Sequence, residues 1–149
     1  MSDQAIERQI QAKGLTAPRI TPTDIEENIA STHYFTATEG LIGAIAQAIQ
    51  NKQPLPVTSK NAQEILDGPL SLLTFCVLVL RNGFTVTGES ACASPENFDA
   101  AIGQQIARKN AIDKVWPLMG YQLRDHLHRR AVFDAEPRTG TGTDQAGAA

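Results

Sequence analysis

Gly88-Glu89-Ser90-Ala91 has the outline of an esterase nucleophile elbow, in which a serine sits on a strained turn between strand and helix. That chemistry needs a closing glycine, and an acid and a histidine later in the chain. Here Cys92 stands in the glycine's place, and no Asp and His follow in a serviceable arrangement. A chain of 149 residues is also short for the usual hydrolase fold, so the stretch reads as the polar end of a strand. Cys76 and Cys92 could join His33, His126 or His128 around a metal, but no pair has the short ligand spacing of a zinc site. Cys76 reads as a small buried hydrophobe, and Cys92 as a thiol whose pKa a nearby helix start can lower. No catalytic residue, metal or other cofactor is expected.

Binding chemistry is better represented. Ser94-Pro95-Glu96 signals a helix start, where free backbone N–H groups near Ser90, Ser94 and Asn97 could hold a phosphate or another anion. Arg108, Lys109 and Lys114 could complete such a site, with Thr85, Thr87 and Glu89 as further contacts. Against it, Ser94 has a plain role as a cap, and Glu96 opposes an anion. A second candidate is the basic cluster Arg124, His126, His128, Arg129 and Arg130, of which Arg124, His128, Arg129 and Arg130 could touch nucleic-acid phosphates. It has no interleaved aromatics for stacking, so a solvated helix end is the simpler reading. Tyr34, Phe35, Trp116 and Tyr121 read as core.

The chain that must position these groups has a net charge of -3, so no global basic field draws it to nucleic acid or an anionic membrane. With 42% hydrophobic residues it can bury a modest core in one domain. No apolar run approaches the roughly 20 residues of a membrane helix. The start MSDQAIERQ is polar rather than signal-like, so a cytoplasmic protein with reduced thiols is expected.

Ile6 and Ile10 define a weakly amphipathic helix over 2–13, ended by Gly14 and followed by a linker to residue 20. Thr21-Pro22-Thr23-Asp24 opens a helix to about Ala30 that buries Ile25 and Ile29. Residues 31–37 read as a strand. Thr38 then caps a helix over 39–50 with Leu41, Ile42, Ile45 and Ile49 on one face. Pro54 and Pro56 force an extended segment, and one or two helical turns follow over 59–66. A helix from Pro95 to Trp116 presents Phe98, Ile102, Ile106, Ile112, Val115 and Trp116 to the sheet. Pro117 should kink or break it, and an apolar face continues to about His128. Residues 134–149 are expected to be a disordered tail.

Between these lies Leu72 to Asp99, an apolar run, Asn82-Gly83 and a second strand. Asn-Gly predicts a two-residue type I′ turn with Arg81 facing Phe84. That register puts Phe75, Val77, Val79, Phe84 and Val86 on the core face. Leu78, Leu80, Thr85, Thr87 and Glu89 fall on a mixed outer face, which a homo-oligomer could cover.

The run LLTFCVLVLRNGFTVTGESACASPENFD, with the helix after it to Leu127, closely resembles a family of small phage and prophage proteins. The family is named after gene product forty-nine of phage N-four and gene sixty-six of phage Sf-six. IQAKGLTAPRITPTDIEENIASTHYFTATEG is similar to the leader of many members, and Leu41 to Pro69 looks like a variable insertion. The resemblance implies a phage gene expressed in the cytoplasm of a bacterial host and carries over no catalytic residue. Together with the missing catalytic constellation it leads to the expectation of an accessory protein that binds and sequesters a host protein or a nucleotide-like immune signal, with a nucleic-acid factor in replication or recombination, working through Arg124 to Arg130, as the alternative. The expected fold is α+β: a small antiparallel sheet of about three strands, built on the hairpin, packed against C-terminal helices, with N-terminal helices before it.

Overall fold

The computed structural model describes residues 1–58 and 61–137, so most of the expected tail lies outside the described residues. The elements in order are α1 (Asp3–Ala12), α2 (Pro22–Asn28), β1 (Ile29–Thr36), α3 (Ala37–Gln50), α4 (Ala62–Asp67), β2 (Leu73–Leu80), β3 (Thr85–Ala91) and α5 (Ala100–Ala135). The strands form one antiparallel sheet in the order β1-β2-β3. The fold is α+β, with α5 laid on one face of the sheet.

Helix starts follow local chemistry. Thr21 and Asp24 form a reciprocal capping box at α2, with Pro22 in the first turn. Thr36 and Glu39 do the same for α3, so the cap sits two residues earlier than Thr38. Thr38 is instead buried, donating to the Ile65 carbonyl at 3.0 Å. Of the expected α3 face, Ile42 and Ile49 are exposed while Leu41 and Ile45 are half-buried.

The hairpin differs from the expected one by a single residue. Leu80 N–H donates to the Phe84 carbonyl at 2.8 Å, and Gly83 N–H donates to the Leu80 carbonyl at 2.9 Å. Only Gly83 has positive φ, at 85°, while the Asn82 side chain accepts from Phe84 N–H at 3.0 Å. The loop is therefore the three-residue Arg81–Gly83, a turn followed by a left-handed glycine, rather than a two-residue type I′ turn. Leu78 pairs with Val86 and Cys76 with Gly88. A slip of one residue sends every β2 side chain to the other face. Thr74, Cys76, Leu78 and Leu80 are buried, whereas Phe75, Val77 and Val79 are only half-buried and Phe84 is 55% exposed. The face carrying Leu78 and Leu80, expected to meet a second copy, is covered by α5.

The packing stripe of α5 also differs. Its buried residues are Gly103, Ala107, Ala111 and Val115, at four-residue spacing, while Ile102 and Ile106 are exposed. Small side chains let the helix sit close. A Cβ on Gly88 would overlap the Ala107 carbonyl oxygen and the Ala111 nitrogen. Bulky residues cannot lie on that line, so they flank it. Ile25 from α2 completes the core, with Ile112, Trp116 and Met119 packed around it.

Pro95 does not start the long helix. Pro95–Asn97 is a single 3₁₀ turn, Phe98 is extended, and Asp99 caps α5 by accepting from Ile102 N–H at 2.9 Å. Pro117 does not end it either. Pro117 lies on the exposed side, where water can take the carbonyl a proline leaves unbonded, and α5 continues to Ala135.

Candidate functional site

The residues singled out from sequence fall into four places. The first is the outer face of the sheet, away from α5. Phe35 pairs with Phe75, their ring centroids 5.6 Å apart, and His33 pairs with Val77. Thr85, Thr87 and Glu89 complete this face on β3, with Thr87 Oγ1 donating to Glu89 Oε1 at 3.2 Å. The candidate row thus remains solvent-facing, but its apolar neighbours are Phe75, Val77 and Val79 rather than Leu78 and Leu80.

The second place is the exit from β3. Ser90 and Asn97 come together there with Cys92, Phe98 and Asp99 around a cavity of about 130 Å³. Cys92 Sγ donates to the Ser94 carbonyl at 3.1 Å, tying this short loop. The Ser94 side chain makes no cap hydrogen bond. The candidate anion cradle at Pro95 loses its basis, because one 3₁₀ turn offers no helical run of N–H groups. The carboxylate of Asp99 holds the start of α5.

The third is the opposite flank of α5. Arg108 donates to both carboxylate oxygens of Glu26 on α2, at 3.0 and 2.7 Å. That hydrogen bonding holds the Glu26 carboxyl below its ordinary value, and Arg108 is raised in turn. Nearby, burial raises Tyr34 and Cys76. Arg108 therefore belongs to a structural pair with Glu26 and does not line the cavity beside Ser90 and Asn97.

The fourth is the far end of α5, where Arg124, His126, His128, Arg129 and Arg130 are all exposed and Arg129 pairs with Asp125 at 2.7 Å.

Two features had no obvious sequence signal. A groove of about 720 Å³ lies between α1, α2 and α5, with Asp3, Glu7, Glu26 and Glu27 against Arg8 and Lys109. On β3, Lys114 Nζ donates to the Thr87 carbonyl at 2.7 Å and Asn110 Nδ2 to the Glu89 carbonyl at 2.8 Å. The four-residue spacing of Ile102, Ile106, Asn110 and Lys114 could have marked a second face of the helix. Among the described residues, no three His, Cys, Asp or Glu side chains gather as a metal site, and no helix is long and apolar enough to cross a membrane.

A three-stranded sheet under one long helix, offering surfaces and a shallow groove, defines a small two-layer α+β protein. The model of the phage protein family named for N4 Gp49 and phage Sf6 gene 66 matches residues 20–127. The chain belongs to that family. No curated protein and no solved structure matches it.

Proposed function

We propose that this phage-family protein works by binding, without catalysis, and that it sequesters a host protein. The observation that carries this reading is the outer face of the sheet. Phe35, Phe75, Val77 and Val79 form an apolar strip there, rimmed by His33, Thr85, Thr87 and Glu89. An apolar centre with a polar rim is the composition of a protein interface. A nucleotide-like immune signal is served less well, since the groove between α1, α2 and α5 is lined by Asp3, Glu7, Glu26 and Glu27, the neighbouring Arg19 and Arg108 are already paired with Glu7 and Glu26, and Asp99 occupies the α5 start. Sequestration as counter-defence is one use a phage has for such a binder.

A photo-crosslinking residue at Val79, in the full chain expressed during infection, tests this. One host protein should recur, and Val77→Asp, folded as judged by circular dichroism, should lose both the crosslink and the phage's growth advantage. The reading fails if Val77→Asp changes neither. It also fails if a panel of cyclic nucleotides and ADP-ribose derivatives raises the melting temperature of wild type and variant alike.

A further inference from the structure

The free edge of β3 meets α5 in a repeating pattern. The Thr87 and Glu89 carbonyls accept from α5 side chains, so they point away from β2. Two strand residues span about 6.7 Å and four helical residues about 6 Å, so strand and helix stay in step. After Lys114 at Thr87 and Asn110 at Glu89, the next match is Ile106 at Ala91. Isoleucine donates nothing, and Ile106 and Ile102 are left 45% and 56% exposed. Beside them the cavity of about 130 Å³ is walled by Ser90, Phe98, Ile102 and Ile106, room for one apolar side chain.

We infer that this edge accepts an extended segment of a partner protein as a fourth strand. Asn110 and Lys114 hold the carbonyls that the segment's N–H groups would take. The inference rests on the reading of the protein as a binder, and it names a site and the form of the partner. Strand addition draws affinity from main-chain hydrogen bonds and selectivity from pockets for alternate side chains. The segment residue opposite Ser90 faces the Ile102–Ile106 cavity and is apolar. Once an N–H occupies the Thr87 carbonyl, the Lys114 ammonium, 3.5 Å from Glu89 Oε2, is released toward the residue opposite Val86. That residue is acidic, four positions from the apolar one.

A second copy does not fit. With α5 resting directly on Gly88, pairing through two β3 edges would bring two helix axes to about one strand spacing, ~4.8 Å, where packed helices need about 8–10 Å. The incoming strand must carry no helix of its own on that face.

Panning the full chain against a random heptapeptide library on phage tests the site. Selected peptides should carry the apolar-to-acidic spacing and slow amide exchange at Thr87 and Glu89. Ile106→Asp should weaken them at least tenfold without lowering the melting temperature. Asn110→Ala should tighten them severalfold, because no side chain then competes for the Glu89 carbonyl. The inference is overturned if no peptide is selected, if protection appears elsewhere, or if Ile106→Asp leaves binding unchanged. Failure here leaves the Val79 crosslink as a separate test of binding in general.

Discussion

Gly88 carries more structural constraint than any other residue of β3. The helix backbone occupies the space of its missing side chain, with the Ala111 Cα 2.9 Å from where a Cβ would be. Neither a strand nor a helix backbone can yield locally, so Gly88→Ala should cost about 3 kcal/mol or more, read as a urea midpoint shift. The Glu26–Arg108 pair is of a different kind. Because the folded Glu26 carboxyl titrates below its ordinary 4.5, its contribution is complete above that value and is lost as pH falls through the lowered folded value. The Glu26 side chain is 53% exposed, which limits the pair to about 1 kcal/mol or less. Glu26→Gln should therefore be mildly destabilised at neutral pH, and the difference from wild type should shrink as pH falls below 4.5 and vanish below the lowered folded value, in parallel urea titrations. Arg108 was legible as a cation, but its partner lies 82 positions away and only the fold pairs them.

At the scale of elements, the hairpin register decides which half of β2 is core. β2 is apolar at almost every position, so its pattern fits either face, and Asn82-Gly83 is compatible with a two- or a three-residue loop. The α2 cap and the approximate strand boundaries were readable, because a hydroxyl three residues before an acid is a local signal, whereas at α3 Thr38 competes with Thr36 as a hydroxyl beside the same helix start. The register was not, because it depends on α5. Leu78→Ala should cost about 2–5 kcal/mol by emptying a fully buried site. Val77→Ala should cost less than about 1 kcal/mol. Equal losses in chemical denaturation would contradict the observed register.

On the scale of the whole molecule, α5 has 36 residues and spans about 54 Å, whereas its buried stripe covers only Gly103 to Val115. The helix beyond it exposes Leu118, Tyr121, Val132 and Phe133. A helix held by few tertiary contacts opens readily. Amides of 103–115 should exchange near the global unfolding rate and those of 121–135 much faster, by hydrogen-exchange mass spectrometry. The same segment carries the exposed Arg124, Arg129 and Arg130, which keep a nucleic-acid role as a second proposal. It requires single-stranded DNA binding that weakens as salt rises and drops on Arg124→Ala/Arg130→Ala. No binding at low salt in fluorescence anisotropy would remove it.

From sequence alone followed the α+β class, the three strands and the starts of α1 and α2, since capping, periodicity and turn residues act over a few positions, while the phage family came from the resemblance of whole runs of sequence. Only the tertiary structure decided which apolar side is core, because the stripe Gly103, Ala107, Ala111 and Val115 lets α5 settle onto Gly88 where bulkier residues would have held it away. That same close approach leaves Ile102 and Ile106 in solvent and brings Asn110 and Lys114 to the edge of β3. Small side chains at four-residue spacing look unremarkable in a sequence, and their meaning appears once a strand lies beneath them.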